Sequence, residues 1–311
     1  MLSHSQMLVD AAVDDETVVL HDLAGGFLGR EMSVHYVDTS LIGPLTIRFT
    51  LAASEVLTIV QSGVTFPNAL TDASATPTYS VSNVYASVDV VQLPDVYNQL
   101  VRERITQQGY ISILYRDFYT FEAPGQTANS STNRFNLSSA SVDKLHTVLR
   151  RSSYDTARGT GFQLDAAASL LSDLNHSNFF RMESFDSSDK KDGTLRFQYS
   201  VLNVPHPQYQ AGVSEAMAQL AYQKHKPESG SIATSRTAFN KAFAVFSEPL
   251  CLTDEPGMRV KSGLNTQGVA GNFSVSFTGI AQPIGGYSIF TLAEVTSELR
   301  VGFGKQLSII H

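Results

Sequence analysis

Apolar and small polar residues alternate over Asn272–Ile280, which reads N-F-S-V-S-F-T-G-I. Phe273, Val275 and Phe277 fall on one side of an extended chain, and Ser274, Ser276 and Thr278 on the other. A period of two puts one face in a core and the other in water or against a neighbour. The same period runs through Leu195, Phe197, Tyr199 and Val201, and through Ile47, Phe49 and Leu51. It predicts further strands at Met32–Val37, Leu45–Leu51, Tyr79–Leu93, Tyr110–Phe121, Met258–Ser262 and Tyr287–Ala293, with a hairpin over Leu299–Ile310. Phe179–Phe185 and Leu195–Val201 read as a hairpin, and the prolines of N-V-P-H-P-Q-Y as the end of its second strand.

Helical spacing is rarer. Val96, Leu100, Val101 and Ile105 follow Leu93-Pro94-Asp95, a good start signal, and Gly109 ends the run. Val142, Leu145, Val148 and Leu149 predict a short helix over Ser141–Arg151, and another is predicted over Val213–Lys224. Ala238–Phe246 fits either a helix or a strand.

Strands broken by a few short helices, without a regular strand–helix rhythm, indicate antiparallel sandwiches. The small, turn-rich stretch A-P-G-Q-T-A-N-S-S-T-N-R over 123–134 reads as a linker, dividing the chain into 1–127 and 128–311. About eight strands are predicted after the division and about six before it. Eight strands in two facing sheets make a jelly roll. The expected architecture is therefore all-β: two tandem jelly-roll β-sandwiches, the first short of early strands, with a few short helices.

Composition narrows the function. Hydrophobic residues make up 42% and charged residues 16%, so the chain has a core's worth of apolar material and low-charge surfaces. The net charge of −7, with no block of Lys and Arg, argues against direct nucleic-acid binding. A single cysteine, Cys251, allows no internal disulfide and reads as a small buried hydrophobe. With no apolar run long enough for a membrane span and no signal-peptide core, a soluble, intracellularly made protein is expected. The four N-x-S/T sequons, at Asn129, Asn136, Asn175 and Asn272, then read as chance.

No catalytic signature stands out. The histidines are scattered, and none forms H-x-H or H-E-x-x-H; His206, between two prolines, reads as a loop residue. Gly302-Phe303-Gly304-Lys305 lacks the hydroxyl residue and first glycine of a phosphate loop and reads as a hairpin turn. The carboxylates of Asp14-Asp15-Glu16, Asp186, Asp189, Asp192 and Asp254-Glu255 are the one enzymatic opening, for glycoside hydrolysis or calcium. Loop acids are more often solvated, and the absence of Trp weakens a sugar platform. No catalytic, cofactor-binding or metal-binding residue is assigned, no cofactor is expected, and the chain is read as a non-enzyme.

The order of features carries a resemblance. D-L-A-G-G-F-L-G-R-E-M-S-V-H-Y leads to L-I-G-P-L-T-I-R-F-T-L-A, then Y-S-V-S-N-V-Y-A-S-V-D-V-V-Q-L-P-D and G-Y-I-S-I-L-Y-R-D-F-Y-T-F. L-R-F-Q-Y-S-V-L-N-V-P-H-P-Q-Y and K-S-G-L-N-T-Q-G-V-A-G-N-F-S-V-S-F-T-G follow. Together these resemble the double jelly-roll major capsid proteins of the adenovirus–tectivirus lineage, especially those of Polinton-like viruses and virophages. The resemblance implies a homotrimer, a pseudo-hexameric tile of an icosahedral shell, with penton and minor or cement capsid proteins as neighbours in the virion. The alternative is a carbohydrate-binding or glycoside-hydrolysing jelly-roll protein. A minor capsid or penton protein of the same lineage is a third reading.

Overall fold

The computed structural model describes residues 38–48, 50, 80–81, 90–151, 185–187, 192–223, 244–251, 262–268, 271–281 and 286–311. Two antiparallel sheets hold the described strands. One contains β1 (Tyr110–Gln126), β8 (Tyr287–Gly302), β3 (Val142–Arg151) and β6 (Phe246–Pro249), in that order, and β9 (Leu307–Ile310) pairs with β8. The other runs β2 (Ser131–Asn136), β7 (Asn272–Thr278), β4 (Arg196–Val201), β5 (Val204–Ala211).

The order 1-8-3-6 facing 2-7-4-5 follows from folding one long hairpin over on itself. First strand pairs with last, second with seventh, third with sixth and fourth with fifth, and all four pairs are present. This is a jelly roll, complete between Tyr110 and Gly302. Its core is aromatic: Phe197, Tyr199, Phe246, Phe277 and Tyr287 are wholly or almost wholly buried, with Leu145 and Ile289 packed among them. Each such side chain contributes about 1.5–3 kcal/mol of burial.

The long strands β1 and β8 run past this core. Beyond it, their inner face carries Ile113, Tyr115, Leu299 and Val301, covered in part by Leu41 and Ile42 of the one-turn helix α1 (Thr39–Ile42). Helix α2 (Asp95–Gln108) buries Val101 and Ile105 and stops at Gly109, whose φ of 84° lets its N–H reach the Ile105 carbonyl at 2.8 Å. Helix α3 (Val213–Gln223) lies between β5 and β6 in the chain.

Four expectations change. The Ser141–Arg151 helix is strand β3. Residues 123–134 are no linker: they end β1, turn, and begin β2, so the division at 127/128 falls inside the first corner of the roll. The prolines 205 and 207 do not end the sheet but lie within β5, an edge strand where a missing N–H can face outward. A two-residue turn at Leu202 and Asn203, with φ of 51° and 68°, joins β4 to it. Phe185 sits in a turn, and both edges of β4 are occupied by β5 and β7, so the expected hairpin with 179–185 has no free edge; residues 179–184 lie outside the described residues.

The expected first jelly roll falls largely outside the described residues, including Met32–Val37. Leu45–Arg48, Ser80, Val81 and Val90–Leu93 are described and are not strand. Leu45, Ile47, Val81 and Val90 are exposed there, without the buried face that a half-buried strand requires. Met258–Lys261 and most of Ala238–Phe246 also lie outside; Ser262 is not strand, and Phe246 begins β6. The helix at 95–108 and those strands expected at Tyr110, Leu195, Asn272, Tyr287 and the closing hairpin are present.

Candidate functional site

The loop carboxylates are the first place to look for chemistry, and the two that are described serve the backbone. Asp186 is buried and accepts from the N–H groups of Ser187 at 2.9 Å and of Gly193 and Leu195 at 3.3 Å. A Cβ on Gly193 would sit 2.0 Å from an Asp186 oxygen, so glycine is what lets the loop close. Asp192 accepts from both the N–H and the hydroxyl of Ser214 at 2.9 Å, while Glu215 reaches back to the Gly212 N–H at 2.8 Å. These contacts satisfy donors at the start of α3, where a capping side chain belongs. Asp14, Asp15, Glu16, Asp189, Asp254 and Glu255 lie outside the described residues. Among the described residues, no group of three or more His, Cys, Asp or Glu could hold a metal ion.

A second cluster was not foreseen. On the outward face of the five-stranded sheet, Glu294 stands between Arg116 Nε at 2.9 Å and His146 Nε2 at 3.6 Å, and His146 Nδ1 is 2.7 Å from Ser247 Oγ. Serine, histidine and carboxylate in a row suggest nucleophilic catalysis, but Ser247 is fully buried on regular strand β6. A nucleophile needs access to its substrate. The cluster instead ties β1, β8, β3 and β6 together across one face. Sequence reading had no signal for it, because the residues come from four strands and each alone resembles an outward polar position.

The two outward faces differ. On the four-stranded sheet, in-register rows run Thr132–Ser276–Gln198 and Arg134–Ser274–Ser200, with Asn136 opposite Asn272. No apolar side chain interrupts them on β2, β7 and β4, though Pro205 of β5 stands opposite Ser200, and Thr132, Arg134, Asn136 and Asn272 are exposed. On the five-stranded sheet the outward rows are Phe118–Glu294–Lys144, Thr120–Leu292–His146 and Glu122–Phe290–Val148. That face is shielded at its centre, with Glu294 4% and Lys144 6% exposed. The roll therefore offers one open, hydroxyl-rich flank and one covered, apolar and ionic flank.

No family model matches the sequence. No curated protein matches it either. Among solved structures, the chain is similar to PBCV-1 VP54 as fitted into a reconstruction of the virophage Sputnik, at 11% identity and a TM-score of 0.39, over 68% of this chain and 54% of that one. It is similar to the Faustovirus major capsid protein at 11% identity and a TM-score of 0.40, over 68% and 36%. For the Sputnik virophage structure the values are 12% and 0.30, over 65% and 39%. Viral capsid structures are thus what the chain is similar to. It spans about half, or less, of the length of those chains, and the fold itself rests on the strand order.

The remaining predicted positions fall as follows. His206 lies on β5 rather than in a loop, with Nδ1 3.9 Å from Glu248 Oε1. Gly302–Lys305 makes the tight turn of the β8–β9 hairpin, closed by Gly302 N–H to the Gln306 carbonyl at 2.7 Å. Cys251 is half-buried, its N–H donating to the Asp143 carbonyl at 3.1 Å.

Proposed function

We propose that the chain is a structural subunit of a viral capsid, residing in the virion and working through its surfaces without catalysis. The observation that carries the reading is the complete 1-8-3-6 and 2-7-4-5 strand order, taken with the sequence resemblance to double jelly-roll capsid proteins. The two described loop carboxylates, Asp186 and Asp192, are engaged with backbone N–H groups, which does not favour a glycosidase. The open flank supports use as a packing surface: small hydroxyl and amide side chains can exchange water for a neighbour's groups at little desolvation cost.

In its finer form the reading is a homotrimer, built through heterologous, ring-closing contacts, forming a pseudo-hexameric capsomer of an icosahedral shell. Penton and minor or cement proteins are its further partners. This form requires a second roll before Gly109, and places the boundary at Gly109 and Tyr110 rather than at 127/128. One observation favours a second reading: the described residues contain a single complete roll, as a vertex subunit around a five-fold axis would. Native mass separates the two, a trimer supporting the tile and a pentamer the vertex.

A further inference from the structure

Strand β9, L-S-I-I, is paired along one edge only. Its register with β8 runs from Val301–Leu307 to Glu298–Ile310 without a shift, and no described strand pairs with its other edge. The Gly302 N–H donates to the Gln306 carbonyl at 2.7 Å, which makes Gly302 and Gln306 a hydrogen-bonded pair. Such pairs alternate along an antiparallel ladder, so Ser308 and Ile310 also bond to β8. Leu307 and Ile309 then aim their N–H and C=O groups outward. His311 follows the same alternation, and its carbonyl takes the Ala140 N–H at 2.9 Å. The edge left over is Leu307–Ile309. Edge strands are commonly blunted by proline, charge or a bulge. β5 carries Pro205 and Pro207, whereas β9 has no such device.

The side chains repeat the pattern of the backbone. Leu307 and Ile309 stand opposite Val301 and Leu299, which are buried on the inner face. Leu307 is nevertheless 46% and Ile309 52% exposed. Two apolar rows, Ile111–Val301–Leu307 and Ile113–Leu299–Ile309, thus end at uncovered side chains on the open edge. On the outward face the row Ser112–Arg300–Ser308 ends there too, with Ser308 exposed.

We propose that β9 is a self-pairing edge, whose occupant is β9 of a second copy of this chain, antiparallel about a two-fold axis at Ser308. In that register Leu307 of each copy faces Ile309 of the other, and the two exchange their outward N–H and C=O groups in both directions. The row Ile113–Leu299–Ile309 runs on into Leu307–Val301–Ile111 of the second copy, so the apolar inner face continues across the axis. On the outward face two serines meet, a favourable cross-strand pair, and no like charges stand opposite each other. Complementarity of backbone, apolar rows and charge in one register is what selects a second copy as the occupant. The contact is isologous, so it leaves free the heterologous contacts that close a ring and can join one ring to the next.

Cross-linking tests this on the full chain. Ser308→Cys, in a Cys251→Ser background, sets two thiols across a non-hydrogen-bonded pair, where Cα atoms lie about 4.5 Å apart and a disulfide fits. Oxidised glutathione, which accepts the two electrons, should convert this variant to a covalent dimer on a non-reducing gel. Ser112→Cys in the same background is equally exposed but two strands from the edge, and should stay uncrosslinked. Ile309→Pro removes an outward N–H that bonds nothing within the described fold, and added to Ser308→Cys it should slow dimer formation by at least about tenfold. Equal cross-linking of Ser308→Cys and Ser112→Cys would overturn the proposal, as would a folded Ile309→Pro variant that dimerised at the original rate. If Ile309→Pro fails to fold, the comparison of the two exposed serine variants still decides. The cross-link reads one edge and not the oligomeric state, so a failed edge and a failed capsid reading are distinguishable.

Discussion

The hydroxyl of Tyr199 on one sheet lies 2.9 Å from Thr147 Oγ1 on the other, in the middle of an aromatic core. It also donates to the Phe246 carbonyl at 3.0 Å. Thr147 in turn meets Thr291 Oγ1 at 3.2 Å, and Asn133 Nδ2 donates to Thr291 Oγ1 at 3.1 Å. Polar groups from β2, β8, β3, β4 and β6 thus form one buried chain that crosses between the sheets three times. Apolar packing tolerates small slips, whereas a satisfied polar chain fits only one register.

Removing the Tyr199 hydroxyl leaves Thr147 and the Phe246 carbonyl short of a partner without changing the ring's packing. Tyr199→Phe should therefore cost about 1–3 kcal/mol, the desolvation cost of stranding a buried polar group. Urea denaturation measures it. A variant as stable as wild type would show that the polar chain contributes nothing.

Two glycines separate backbone conformation from crowding. Gly279 has a φ of 68°, and a Cβ there would meet the Thr194 carbonyl oxygen at 2.1 Å; Gly268 has a φ of 73° with nothing within 4 Å. Alanine in the left-handed region costs about 1–2 kcal/mol at either site. Overpacking should add about 1–3 kcal/mol at Gly279 alone. Thermal unfolding of the two alanine variants should rank Gly279→Ala well below Gly268→Ala, and equal losses would contradict the close approach.

Asp192 accepts from the N–H and hydroxyl of Ser214 at the start of α3. Asp192→Ala should lower stability by about 0.5–2 kcal/mol, as loss of a helix cap does. Millimolar calcium should leave the wild-type melting temperature unchanged, which differential scanning fluorimetry would check. A calcium-induced rise that Asp192→Ala abolished would reopen the site.

Much of the roll was legible because its strands keep strict alternation: β4 and β7 place every second residue in the core. β3 was misread for an identifiable reason. Val142 pairs with Val295 and Lys144 with Glu294, so Asp143 is an extra residue, a bulge. The bulge brings Val142 and Leu145, three apart, onto the same buried face and imitates helical spacing. Asp143 is held there by the neighbouring Ser141 hydroxyl at 2.7 Å and by that of Thr296 at 2.6 Å, the latter a contact across the fold that no local pattern reveals. Residues 123–134 have a linker's composition because the corner that carries the chain from β1 in one sheet to β2 in the other needs the same turn residues. Glu294 and Glu248 were invisible for a related reason: what makes each distinctive is a residue on another strand.

The native mass of the full chain, measured by light scattering on a sizing column at neutral pH, tests the capsid-tile reading most directly. The expected result is a particle three times the 33.8 kDa of the chain, or larger assemblies that dissociate to it. A pentamer would contradict the tile in favour of the vertex subunit, and a stable monomer would contradict both.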